Sequence, residues 1–198
     1  MEKCSHLLAV SPEGFRGKWL VEFGYETLHI ELGCGKGRFT AEKAKAEPNV
    51  FIAALEKSAD AMIIALERAV AANLSNIIFL NAYADNLTDF FADGEASRIY
   101  INFCDPWPSN RHVKRRLTNR RFLELYARVL EPGGEIHLKT DNKALFEYSL
   151  REFALSGFEL VEITRDLHKD APSGIMTDYE LKFHSQGIPI CRCVMRRQ

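Results

Sequence analysis

The sequence predicts an α/β fold: a doubly wound, mostly parallel sheet of seven strands with helices on both faces. Two observations carry this expectation. Apolar runs rich in Ile, Leu and Phe alternate with segments whose apolar residues recur at helical spacing, as expected for parallel strands buried on both faces and the helices that connect them. The chain of 198 residues, 46% hydrophobic and 27% charged, is long enough to bury one sizeable core. No Pro/Ser-rich linker, repeat or low-complexity stretch divides it, so residues 1–198 read as one domain.

Taken in order, the apolar runs place strands at 28–32, 51–55, 77–80, 99–103, 135–139, 158–163 and 188–195. In the last of these the period of two puts Cys191 and Cys193 on one face. The clearest helix starts at Ser58 as N-cap and carries Met62, Leu66 and Val70 on one stripe, with Ile63 beside it. A second runs from Thr118 with Phe122, Tyr126 and Val129 along one face. A third follows Asp141 and Asn142 and ends before Gly157, a residue free to close a helix in the left-handed conformation. The segment 165–187 shows neither period and reads as a long loop of the kind that usually carries function.

Lys and Arg number 26 against 27 Asp and Glu, so a net charge of -1 excludes a chain that grips polyanions through bulk positive charge. Apolar runs break well short of the roughly 18–20 residues a membrane span needs. The segment MEKCSHLLAVSPEG lacks a basic region followed by a long apolar one, so no signal peptide is expected. Cys4, Cys34, Cys104, Cys191 and Cys193 are odd in number and contain no CxxC pair, which predicts reduced thiols in a cytoplasmic setting. His29, His137 and His168 lack ligand spacing, so no metal is expected.

Chemistry concentrates in two places. Glu31-Leu32-Gly33-Cys34-Gly35-Lys36-Gly37 follows a strand and precedes a helix, where an α/β sheet offers backbone N–H groups to a nucleotide-like ligand. The third glycine comes two positions after the second, not three, which argues against a dinucleotide fingerprint and hydride transfer. Glu56 closes the second strand, where a carboxylate can accept from ribose hydroxyls. Together, E-x-G-x-G-x-G and this second acid resemble the cofactor site of class I S-adenosylmethionine-dependent methyltransferases, a Rossmann-like group. The second place is Ile101-Asn102-Phe103-Cys104-Asp105-Pro106-Trp107-Pro108 at a strand end, stiffened by two prolines. Arg111, Lys114, Arg115, Arg116, Arg120, Arg121 and His112 follow with no acidic residue between Pro106 and Leu123, a local patch suited to phosphates. The alternative for such a run is a solvated face.

Gly17-Lys18-Trp19, HIELGCGKGRF, NFCDPWP, RHVKRRLT, HLKTDN, LFEYSL, DLH, MTDYELKF and GIPICR, in this order, resemble the bacterial tRNA (guanine-N7-)-methyltransferases from about Gly17 onward. The resemblance implies methyl transfer from S-adenosyl-L-methionine, leaving S-adenosyl-L-homocysteine, to N7 of a guanosine in the tRNA variable loop. It implies cofactor contacts at Glu31, Glu56 and Asp105, with Asp105 also catalytic; the glycine turn itself adds Gly33, Gly35 and Gly37 as cofactor candidates, and Tyr83 occupies the adenosine position. Substrate contacts are implied at Asp141, Thr177, Asp178, Tyr179 and Glu180; the basic run adds Arg115 and Arg116 as candidates, and Ser109 is a further candidate where the family has a lysine. Tyr83 departs from the family's usual acidic residue, leaving that contact to backbone groups, to the phenol, or to Asp85 after a shift in the turn. Ser109-Asn110 replaces a common lysine pair, and 16 residues precede Gly17 where many relatives carry a longer basic arm.

Guanine N7 already carries an in-plane lone pair, so no proton must leave the nucleophile, and orientation is the main task. Asp141 and Thr177 have a competing reading as helix N-caps. Two other functions fit the same motifs: a class I methyltransferase acting on another acceptor, and a non-enzymatic RNA-binding module. Oligomeric state is left open.

Overall fold

The computed structural model describes residues 6–198; Cys4 lies outside them. Seven strands form one sheet in the order β3-β2-β1-β4-β5-β7-β6. They are β1 (Thr27–Leu32), β2 (Val50–Leu55), β3 (Ile77–Leu80), β4 (Ala96–Asn102), β5 (Leu130–Thr140), β6 (Phe158–Thr164) and β7 (Cys191–Arg197). The five strands from β3 to β5 run parallel, and β7 pairs antiparallel with both β5 and β6. Helices α1 (Trp19–Phe23), α2 (Arg38–Ala46), α3 (Ala59–Ala71), α4 (Leu87–Phe90), α5 (Arg120–Val129), α6 (Lys143–Leu155) and α7 (Asp178–Ser185) connect or flank them. The expected α/β architecture is therefore the observed one.

Alternation along β2 shows how the sheet is buried twice. Phe51, Ala53 and Leu55 join a core with Trp19, Phe91 and Tyr126, whereas Ile52 and Ala54 join a second with Met62, Ala65 and Phe79. The Gly17-Lys18-Trp19 segment serves the first core: the Trp19 indole is fully buried and donates to the Phe90 carbonyl at 2.9 Å. The Gly17 and Trp19 N–H groups bond the Glu95 carboxylate. Among the described residues no helix is long and apolar enough to cross a membrane.

Several local expectations need correction. Segment 165–187 is not wholly loop, because α7 occupies its second half. Eight residues are too few to display a helical period, yet the start signal was present: Thr177 and Glu180 form a reciprocal capping box. Asn142, not Asp141, caps α6, accepting from Leu145 N–H at 2.8 Å. Thr118 lies before α5, whose cap is Asn119; its own buried hydroxyl bonds Ser149 at 2.7 Å. Ile63 is 48% exposed, because Met62, Ala65, Leu66 and Ala69 form the inner face of α3. The fourth strand ends at Asn102, where Phe103 turns to φ +52°. The last begins at Cys191, after Pro189 has removed a ladder donor.

Candidate active site

Strand order turns back between β1 and β4, and at their carboxyl ends a cavity of about 690 Å³ opens. One side is built by the glycine turn. The Leu55 carbonyl accepts from Gly33 N–H at 2.8 Å and Cys34 N–H at 3.0 Å, stitching the turn to the end of β2. Gly33 and Gly35 take φ of +75° and +54° and line the cavity, with no atom within 4 Å of where a Cβ would stand. Gly37 does not line it. A Cβ there would meet that of Ala65 at 2.6 Å, so Gly37 lets α2 approach α3. The three glycines of the motif therefore do not share one role: two line the cavity and one lets two helices approach.

Glu56 brackets the same turn. Its two oxygens accept from Gly35 N–H at 2.9 Å and Ser58 N–H at 2.8 Å, and each keeps a further lone pair. Glu31 lies behind the turn and is absent from the cavity lining. It accepts from Thr40 Oγ1 at 2.5 Å and Asn102 Nδ2 at 3.2 Å, tying β1 to α2 and β4. Burial pushes its carboxyl up to about 7, opposed by those two hydrogen bonds. Tyr83, 62% exposed, lines the cavity beside Asp85, whose carboxylate is held by Arg121 at 2.5 Å.

Asp105 also lines the cavity, largely exposed, with Oδ2 3.6 Å from Lys57 Nζ. Phe103 and Trp107, two positions to either side, both take positive φ, +52° and +41°. Such backbone costs roughly 1–3 kcal/mol per residue and persists where its surroundings impose it. Here Phe103 N–H is fixed by the Lys139 carbonyl at 2.9 Å. Arg116 donates to the Pro106 carbonyl at 2.9 Å and the Trp107 carbonyl at 3.0 Å while lying over the Tyr148 ring. The Arg115 guanidinium covers the Trp107 indole at 4.9 Å.

The basic run is therefore only partly a phosphate patch. Arg116 frames the Asp105 loop, Arg120 pairs with Glu152, and Arg121 is shared between Asp85 and the Lys114 carbonyl. Among the described residues, Arg111, Lys114 and Arg115 are exposed and pair with no carboxylate. Ser109 caps the 3-10 turn Asn110–Arg115 through Arg111 N–H at 3.3 Å.

The remaining substrate candidates divide too. Asp141 follows β5, half-buried, free of the capping role and absent from the cavity lining. Asp178 pairs with Arg68 at 3.1 Å and Arg38 at 3.7 Å. Tyr179 lines the cavity, its ring 6.3 Å from that of Phe103. Thr177 and Glu180 are buried, and both Glu180 oxygens accept from Lys139 Nζ at 3.0 Å. Lys57 is not among the residues expected at the site, and Asn102 and Lys139, though inside the expected motifs, carry no role there until their bonds to Glu31 and Glu180 are seen. Lys57 was findable, since it follows Glu56 at a strand's carboxyl end; the partner of Lys139 is 41 positions away and was not.

Other titratable groups bear on chemistry by subtraction. Burial lowers His29 to about 3 and His137 to about 4, so both are neutral at physiological pH. Burial likewise pushes the Cys104 thiol, on the cavity wall, up to about 12, so it is no ready nucleophile. Among the described residues no group of three or more His, Cys, Asp or Glu is arranged to hold a metal.

Known proteins resemble this chain in sequence and in fold. A methyltransferase family model matches residues 25–193. The tRNA (guanine-N(7)-)-methyltransferase of Geobacillus kaustophilus (strain HTA426) is 49% identical over 184 residues, 92% of this chain and 85% of its own. That of Clostridioides difficile (strain 630) is 47% identical over 185 residues, 92% and 86% of the two chains. Among solved structures, the 16S rRNA methyltransferase KamB superposes with a TM-score of 0.68 over 88% of this chain and 89% of its own. At 18% identity it speaks for the fold alone.

Proposed function

From the premise that this chain belongs to the tRNA (guanine-N7-)-methyltransferase family, we propose that it transfers the methyl group of S-adenosylmethionine to N7 of a guanosine in the variable loop of tRNA. It acts as one domain and in the cytoplasm. The observation that carries the reading is that Gly33, Gly35, Glu56, Asp105 and Tyr179 all line one cavity.

The residues present fit the cofactor. Open space over Gly33 and Gly35 admits close backbone approach, and Glu56 keeps acceptor capacity for ribose hydroxyls after bonding the turn. Tyr83 offers a phenol and a ring face for the adenosine part. The cofactor supplies an electrophilic methyl on sulfonium. The protein's share is orientation and charge, since N7 needs no base. Asp105, steadied by Lys57, holds the guanine edge and offsets positive charge growing on its imidazole ring. The protonated Cys104 argues against a route through a thiol adduct. Glu31 supports the site from behind, bracing the turn through Thr40 and Asn102.

On the tRNA side, we assign phosphate contacts to Arg111, Lys114 and Arg115, and rim contacts to Ser109 and Asp141. Arg116, Asp178 and Glu180 work by holding the loop and α7 in place. The test is transfer of labelled methyl to unfractionated tRNA, followed by nucleoside identification. 7-Methylguanosine is expected. Label in another nucleoside points to another acceptor, and no label with no cofactor binding points to an RNA-binding module.

A further inference from the structure

Lys139 is where the crevice and α7 meet. Its carbonyl fixes Phe103 N–H at the strained end of β4. Its ammonium donates to both Glu180 oxygens at 3.0 Å and to the Ile175 carbonyl at 2.9 Å, spending all its protons. Glu180, fully buried, also accepts from His168 Nε2 at 2.8 Å and Thr177 N–H at 3.2 Å. Ser173 N–H donates to His168 Nδ1 at 3.1 Å, which leaves the imidazole proton on Nε2, facing Glu180. A carboxylate offers about four lone-pair sites. Lys139, His168 and Thr177 take all of them, so Glu180 has none left for a substrate.

We propose that Lys139, Glu180 and His168 are positioning residues: a buried ionic latch that holds α7 against the strand ends, so that Tyr179, stacked on Phe103, forms one wall of the pocket for the target guanosine. None of the three touches the base. Buried ion pairs add little net stability over apolar substitutes of the same shape, which is consistent with a role in geometry. The inference rests on the methyltransferase reading above for what the wall receives, though not for the latch itself.

The test uses the full chain with Glu180→Gln and with the charge-free pair Lys139→Met/Glu180→Gln, which keeps shape and removes both ions. Amide hydrogen exchange, tRNA kinetics and cofactor calorimetry are read together, with guanosine or inosine at the target position. The paired variant is expected to melt near wild type and to exchange faster in 167–185 but not in β1 or β4. Its kcat/KM for tRNA should fall about ten- to a hundred-fold through misplacement of the wall, equally for guanosine and inosine, with cofactor affinity unchanged. Loss confined to guanosine would show Glu180 reading the base directly and overturn the proposal. So would wild-type kinetics in the paired variant, or unchanged exchange in 167–185 in either variant. Failure of the wild-type chain to methylate tRNA would sink the functional reading and leave the exchange result to judge the latch.

Discussion

Replacing Gly37 with Ala separates glycines that serve a ligand from those that serve the fold. The added methyl would stand 2.6 Å from Ala65 Cβ and 3.0 Å from its Cα, well inside the roughly 3.5–4.0 Å at which carbon atoms attract. α2 and α3 must then part, and overpacking of this kind costs about 1–3 kcal/mol. A left-handed φ of +70° adds about 1–2 kcal/mol for a residue with a Cβ. Together these amount to about 2–5 kcal/mol, which for a domain of this size lowers Tm by roughly 5–20 °C. Gly33→Ala has a φ of +75° but open space around the new methyl, so it incurs only the backbone cost, about 1–2 kcal/mol, while its methyl enters the cavity. Thermal unfolding and calorimetric binding of S-adenosylmethionine should diverge accordingly. Gly37→Ala is expected to melt early yet bind normally while folded, and Gly33→Ala to melt only about 2–8 °C below wild type yet bind weakly. A Gly37→Ala protein with native Tm, or one fully folded with weakened cofactor binding, would refute the division.

Asp105→Asn should lower the single-turnover methylation rate about ten-fold or more, with tRNA affinity little changed; an Asn variant at the wild-type rate removes Asp105 from the chemistry. Glu56→Ala should weaken cofactor binding by about 1.5–3 kcal/mol, read by calorimetry, and unaltered affinity would confine Glu56 to holding the Gly35 turn. Arg111→Ala/Lys114→Ala should reduce the salt slope of tRNA binding by about one to two units. Arg116→Ala should instead slow methylation with that slope intact, because its bonds go to the Pro106 and Trp107 carbonyls, and a lowered slope would make it a phosphate contact. Glu31 is raised by burial from its ordinary 4.5 to about 7. The folded state therefore holds a proton the unfolded state gives up, and stability present below pH 4.5 drains away as pH rises through 7, by an amount on the order of 3 kcal/mol. Glu31→Gln should flatten that fall in denaturant midpoints measured across the window, and an unchanged profile would place the carboxyl's titration elsewhere.

The fold was legible because parallel strands buried on both faces leave unmistakable apolar runs, as at Phe51 to Leu55. Edges were harder to read. Nothing local marks the break at Asn102, which follows from the positive φ of Phe103, and α7 is announced only by the Thr177–Glu180 box. In the site, glycines and acids could be named from spacing, since turn geometry is local. What they bond is not local: Arg116 reaches back ten positions to Pro106, and Lys139 forward to Glu180. A run of basic residues looks the same in sequence whether its protons go to solvent, phosphate or the protein's own carbonyls.

The placement of β7 between β5 and β6 governs how the molecule can be made. Both neighbours precede β7 in the chain, yet neither pairs with the other. During synthesis β5 thus waits with an open flank, and β6 has no ladder at all, until 191–197 arrive and slot between them. Non-local pairing of this kind is slow and leaves strand edges exposed meanwhile. The wall carrying Tyr179 lies in the same late stretch of chain as β7. The glycine turn and the five parallel strands are thus synthesised before α7 and β7, and the core they share is completed only by Cys191, Cys193 and Met195 of the last strand.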